Sequence, residues 1–317
     1  MTVKDDLIIN DEHIRPGQQA VIRLNIGRLP SSTRIFIYLH VYRGDEPGPV
    51  MLVMGGLHGD EINGVEIVKR AIRDGMFNNI KAGAVIAIPI LNIYGFLNFS
   101  REVPDGKDVN RSFPGSMRGS LASRVAKTFS KKVLPHVDFG LDYHTGGGPR
   151  YNYPQIRYTK NDKGAEEIAR MFAAPFVMEK GVIRGSLRKH AKENNVPIAV
   201  YEGGEALRFD GHSIEIGLQG MRRVMEGKGM IEGKSPVFHD TISFKRTTWI
   251  RAADSGLFVW FKSSGKKVVK GEPLGEVSDP FGNRRYIVRA KSEGYIIGHN
   301  NAPVIHQGDA LFHIGIE

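Results

Sequence analysis

Four short apolar runs constrain the fold of this 317-residue chain more than any other feature: Val50–Met54, Ala84–Leu91, Val137–Tyr143 and Pro197–Tyr201. Continuous apolar runs of this length suit strands buried on both faces. Between them the hydrophobic period changes. Beginning at Glu61, residues Ile62, Val65, Ile67, Val68 and Ile72 form an apolar stripe, with Lys69, Arg70 and Arg73 on or near the other side. That spacing predicts a helix. Leu121–Leu134, Glu166–Phe172, Ser186–Asn194 and Asp210–Glu226 also read as helices. Strands alternating with helices imply an α/β fold with a mixed, largely parallel sheet flanked by helices.

Ligands bind such sheets beyond the carboxyl ends of the strands. His58, His144 and Glu202 each follow a predicted strand by one to four residues, which would bring all three to one rim. Residues 1–49 read as strands and turns, with a strand over Thr33–Tyr42 and a turn cluster over Arg43–Pro49. Residues 92–119 hold no sustained period and are rich in Gly, Pro, Asn and Arg. A loop of that length inside a compact domain is usually functional.

The composition shifts after about residue 235. The segment Thr247–Glu317 has short β-type runs between Gly, Pro and Asn and no clear helix. It also repeats itself. Arg251-Ala252 with Gly256 matches Arg289-Ala290 with Gly294, and Gly271 with Leu274 matches Gly308 with Leu311. Two related β-halves folded together are expected. The division is therefore 1–236 for a catalytic domain with N-terminal strands, and 237–317 for a small all-β domain. The second resembles the barrel-sandwich of biotinyl and lipoyl domains. Its central link, Ser278–Asn283, has no lysine to modify, so it reads as structural or as shaping access to the site.

Composition narrows the chemistry. The chain is 41% hydrophobic and 25% charged, ordinary for a soluble globular protein. No apolar run approaches the roughly 20 residues that span a bilayer. The N-terminus, MTVKDDLIINDEHIRPG, lacks the apolar core of a signal peptide. With no cysteine, only His, Asp and Glu remain as metal ligands. These features fit a cytoplasmic protein without a membrane partner. The net charge of +10 is scattered and nowhere interleaved with aromatics, so nucleic acid is not the expected partner. Attraction of small carboxylate-bearing molecules is the better reading.

His58 and Glu61, three apart at a strand-to-helix turn, can point to one centre, and Gly55, Gly56 and Gly59 allow the tight backbone there. The pair alone reads more readily as a polar loop histidine followed by a first-turn carboxylate. His144 precedes three glycines, which leave room for a substrate, and Asp142 shares its strand face. Glu202, at the mouth of a buried strand, suits a general base, and Glu205 is close enough to compete. Asn110-Arg111 makes a donor pair suited to a carboxylate.

GGLHGDE, DVNRSFPG, DYHTGGG and the Glu after PIAVY occur in this order. Together they resemble the succinylglutamate desuccinylase/aspartoacylase family, relatives of the zinc carboxypeptidases, over roughly residues 30–317. The resemblance implies a zinc carboxypeptidase-like α/β domain and one Zn2+ per chain, held by His58, Glu61 and His144. It implies Asn110 and Arg111 on the substrate carboxylate, Glu202 as general base and then acid, and Arg101 polarising the scissile carbonyl. Arg150 and Arg157 are candidates for reading the acyl group. The implied function is hydrolysis of a small anionic N-acyl amino acid by metal-activated water. A metallocarboxypeptidase or an esterase would use the same site, and a metal-free scaffold protein is the alternative of another class. A homo-oligomer is left open.

Overall fold

The computed structural model describes residues 7–317. The charged N-terminal segment read above begins in residues 1–6, which lie outside the described residues. The core is a mixed sheet of 13 strands. Four parallel strands form its centre, in the order Ala82–Ile88, Glu46–Met54, Phe139–Gly146, Ile198–Glu205. These are the four apolar runs. Antiparallel strands continue the sheet on both sides: Arg34–Arg43 and Gln19–Arg28 beyond Ala82–Ile88, and Arg150–Thr159 beyond Ile198–Glu205.

The continuous apolar character of the central strands has a simple cause. Successive side chains point to opposite faces, and both faces are covered. Leu52, Met54, Ile86 and Ile88 pack into one core with Leu121–Lys132 and Leu187–Glu193. Met51, Val53, Val85 and Ala87 pack into the other with Ile62–Arg73, Lys163–Phe172 and Gly211–Gly227. Each of these side chains larger than alanine, fully buried, contributes about 1.5–3 kcal/mol. All five expected helices are present within a few residues of their predicted ends. Four of the five begin on a side-chain cap: Ser120, Asp162, Ser186 and Asp210 each accept a backbone N–H. Among the described residues no helix is long and apolar enough to cross a membrane.

Two boundaries differ from expectation. The turn cluster at Arg43–Pro49 is shorter than read, because Glu46 already opens a strand. The strands carrying His144 and Glu202 run on through those residues, to Gly146 and Glu205. Ladder hydrogen bonds extend past the point where apolar character stops.

The C-terminal β region adds its own core, including Ile250, Phe258, Leu274, Val288, Leu311 and Phe312. The repeat is expressed as an exchange. Ala252 donates its N–H to Asp309 and accepts from Gly308, while Ala290 donates to Glu272 and accepts from Gly271. Arg251 reaches the Gly308 carbonyl at 2.8 Å and Arg289 the Gly271 carbonyl at 2.9 Å. Each half thus pairs its Arg-Ala with the glycine turn of the other. The region is not separate from the main sheet. Gly294–Asn300 pairs antiparallel with Arg150–Thr159, and Ala310–Ile316 and Arg246–Arg251 follow outward.

Candidate metal centre and active-site cleft

The turn after Glu46–Met54 places His58 and Glu61 at the start of the Ile62–Arg73 helix. Glu61 occupies the N-cap position, yet its carboxylate makes no capping bond. It turns instead to the histidines. Two glycines make this approach feasible. A Cβ on Gly59 would lie 1.9 Å from the Gly95 backbone, and one on Gly64 would lie 2.5 Å from the Tyr143 carbonyl. Glycine therefore lets the turn press against a short helix, Ile93–Leu97, inside the segment read as a loop, and lets the Ile62–Arg73 helix seat beside the strand carrying His144. Asn63 ties the same turn to the Glu202 strand. It donates to the Gly203 carbonyl at 3.1 Å and accepts from Asp210 N at 3.0 Å.

The result is a buried triad. His58 Nδ1 lies 2.8 Å from Glu61 Oε1, His144 Nδ1 lies 2.7 Å from Oε2, and the two Nδ1 atoms are 3.1 Å apart. All three residues are at most 5% exposed. Their far sides meet carboxylates. His144 Nε2 is 2.9 Å from Asp142. His58 Nε2 is 3.5 Å from Asp108, a charge contact too long for a hydrogen bond. Thr145 N donates to Glu61 at 3.2 Å.

The electrostatics couple the three groups. Burial pushes the Glu61 carboxyl up, but His58 and His144 overcome it and hold it well below the usual range. Burial pushes His144 down, but Asp142 and Glu61 hold it well above its ordinary value. His58 is raised in the same way, against burial, chiefly by Glu61. Two imidazole nitrogens and a carboxylate facing one point in a buried pocket are a donor set for a cation, and all three atoms lie within 4.8 Å of one another. The triad can hold one metal ion, and its nitrogen and oxygen donors fit zinc chemistry. Asp142 supplies the carboxylate that such a histidine normally carries behind it.

The triad opens into a cleft of about 270 Å3. Every site residue read from the sequence lines it: His58, Glu61, Arg101, Asn110, Arg111, His144 and Glu202. Glu202 lies directly opposite His144 in the parallel ladder. It accepts from Asn152 Nδ2 at 2.6 Å and from Arg157 Nη1 at 2.5 Å. Glu205 does not compete. It is bonded to Asn301 and paired with Arg208 at 3.2 Å, away from the cleft. Arg101 points Nη1 toward His58 and Glu61, at 3.2 and 3.4 Å, and is gripped through Nε and Nη2 by Asp108 at 3.0 and 2.8 Å. Asn110 accepts from Leu187 N at 2.9 Å through its side-chain oxygen, so its amide nitrogen is left to donate. Arg111 is exposed, and its guanidinium donates to the neighbouring Asn110 carbonyl at 2.8 Å.

Both Arg150 and Arg157 line the cleft, but Arg157 is engaged with Glu202. Lining residues that the sequence did not single out include Asn152, Ile183, Arg188 and Trp249. Behind them sits Lys180, which burial, then Arg157 and Arg188, push down to about 8. The cleft holds five arginines against three carboxylates, Glu61, Asp142 and Glu202, so it attracts anions.

A mixed sheet carrying a buried His–Glu–His triad at the carboxyl rim of its parallel strands defines an α/β protein with a candidate metal centre. Residues 47–227 match the model of the succinylglutamate desuccinylase/aspartoacylase catalytic domain, and the chain belongs to that family. It is 26% identical over 286 residues to the N-alpha-acetyl-L-2,4-diaminobutyric acid deacetylase of Halomonas elongata, covering 86% of this chain and 82% of that protein. The product-bound ectoine utilization protein EutE (DoeB) of Ruegeria pomeroyi shares the fold, with a TM-score of 0.84, 24% identity and 95% of each chain covered. So does a succinylglutamate desuccinylase/aspartoacylase from Rhodobacter sphaeroides, with a TM-score of 0.82, 22% identity and 94% of each chain covered.

Proposed function

We propose that this protein is a zinc-dependent amidohydrolase that removes the acyl group from a small, anionic N-acyl amino acid. The observation that carries the reading is the convergence of His58, Glu61 and His144 with Glu202 directly across the ladder from His144. Family membership and the deacetylase relative support the reaction type. His58, Glu61 and His144 would hold the ion. When bound, zinc supplies a Lewis acid that acidifies water and polarises the acyl carbonyl.

The chain's own groups do the rest. Asn110 and Arg111 bind the substrate carboxylate, the guanidinium by its two-pronged donor geometry. Glu202 takes a proton from the attacking water while the hydroxyl adds to the amide carbon. Arg101, held in place by Asp108, faces the oxygen where charge develops. Glu202 then passes its proton to the departing nitrogen as the C–N bond breaks, leaving a carboxylate and a free amine. Asn152 and Arg157 fix the carboxylate in position for both transfers.

The size of the cleft, about 270 Å3, suits a small substrate better than a peptide chain. An ester would fit equally well. The test is amine release from acetyl-, succinyl- and related N-acyl amino acids, with and without chelation, beside zinc analysis of the purified protein. Zinc near one per chain with chelator-sensitive amine release is expected. A protein that neither contains zinc nor takes it up would overturn the proposal.

A further inference from the structure

The cleft is polar almost throughout. Only three of its lining side chains are large and apolar: Ile183, Val200 and Trp249. They come from distant parts of the chain. Val200 sits on the Glu202 strand two residues before the base, and Ile183 on the segment leading to the Leu187–Glu193 helix. Trp249 belongs to the C-terminal β region, on Arg246–Arg251.

Trp249 is held unusually firmly for a residue 39% exposed. Its indole stacks on the His313 ring at a centroid distance of 4.2 Å and 7° between planes. His313 is opposite it in the ladder and only 4% exposed. Among the described residues neither ring nitrogen of His313 has a hydrogen-bond partner, so packing holds it. Burial, then the nearby Arg157 and Lys180, push its pKa down to about 2, which keeps the ring neutral. The row continues toward the base. His313 is opposite Gly298, Gly298 opposite Asn152, and Asn152 donates to Glu202. Trp249 therefore faces the same side of the sheet as Glu202.

The loop carrying Asn110 and Arg111 docks on the segment before the Leu187–Glu193 helix, where Asn110 accepts from Leu187 N at 2.9 Å. Trp249 reaches the same cleft from the outermost strand of the sheet. A substrate whose amino-acid carboxylate meets Asn110 and Arg111, with its amide at the triad, directs its acyl chain away from the clamp.

We propose that Trp249, backed by His313, is the wall that limits the length of the acyl group, so that the C-terminal β region selects short, apolar acyl chains. This rests on the reaction proposed above. An aromatic plate pinned by a second buried ring cannot swing aside, so each added methylene meets it. A hydrophobic pocket discriminates one methylene by about 10–200-fold. Val200, two residues before the base, completes the apolar surface.

The experiment measures kcat/KM for a series from N-acetyl to N-hexanoyl on one amino acid, and for one acyl group on several amino acids. The wild type is expected to fall about tenfold per methylene beyond the optimum. Trp249→Ala should move the optimum to longer acyl chains while preference among amino acids stays fixed. Trp249→Phe and His313→Phe should keep the short-chain profile, because both retain stacked rings. A uniform loss in Trp249→Ala with the profile unchanged, or a shift in amino-acid preference instead, would overturn the assignment.

A second readout does not need turnover. The chain has two tryptophans, so Trp260→Phe leaves Trp249 as the only indole. Acetate, propionate and butyrate should perturb its emission with rising affinity. No response in a protein that hydrolyses acyl amino acids defeats the wall. A response without hydrolysis of any member of the series defeats only the proposed reaction.

Discussion

His58 and Glu61 lie three residues apart and meet within one turn. The two groups that hold Glu202 come from 45 and 50 residues before it, on a different strand. The metal side of the cleft is made by a local turn and one parallel register. The surroundings of the base are made by antiparallel strands next to the Glu202 strand, which bring in Asn152, Arg157 and, farther out, Trp249. The first side depends on glycine at Gly59 and Gly64, where the backbone must approach another segment. The second depends on where strands pair. A substitution on the metal side should therefore act on occupancy, and one on the other side on turnover and selection.

The sharpest way to break that contrast is to remove a ligand. His144→Ala should lose the metal and lower activity by at least about 10⁴-fold, whereas Asp142→Asn, acting behind the ligand, should weaken metal affinity by about 10–100-fold. Zinc retained at full occupancy in His144→Ala would remove this residue from the triad. On the other side, Glu202→Gln should keep its metal and lower kcat by about 10²–10⁴-fold. Near-normal turnover in that variant would sink the base assignment.

These two sides differed in legibility for a physical reason. Buried parallel strands must be apolar on both faces, so their runs stand out, and the glycines and histidine that follow are visible as breaks. Helix starts are marked by Ser120, Asp162, Ser186 and Asp210. The ends of the strands are not marked. His144 and Glu202 are polar residues still inside the ladder. Asn152 was hidden by a bulge: the register against the Glu202 strand shifts between Glu202 and Gly204, opposite Gln155 and Asn152. That shift lets Asn152 and Arg157, an odd five residues apart, reach the same carboxylate. Trp249 meets His313 across 64 residues of chain, and no local pattern reports such a pairing. The internal repeat was visible, because the exchanged pairing of its halves requires the same residues twice.

Asn152 offers a smaller and more specific break. Asn152→Leu keeps approximate volume and removes one donor to Glu202. We expect kcat/KM to fall about 10–100-fold, near the 1.5–3 kcal/mol of a hydrogen bond to a charged group, with metal content unchanged. Loss of metal in this variant would mean that the two sides of the cleft are not separable.

The smallest expected effect joins the C-terminal region to the base. A Cβ on Gly298 would lie 2.8 Å from Asn152 Oδ1 and 2.8 Å from the Tyr151 carbonyl. Gly298 is opposite Asn152 in the ladder, so the absent side chain leaves space for the amide that grips Glu202. In Gly298→Ala both the Asn152 amide and the Tyr151 carbonyl must give way. A misplacement costing about 1 kcal/mol lowers kcat/KM about fivefold. The discriminating measurement is a double-mutant cycle. If the alanine acts through Asn152, it should add almost nothing in an Asn152→Leu background. Full additivity would mean that the methyl group perturbs the cleft by another route, and that the C-terminal strand contributes only scaffold to this side of the site.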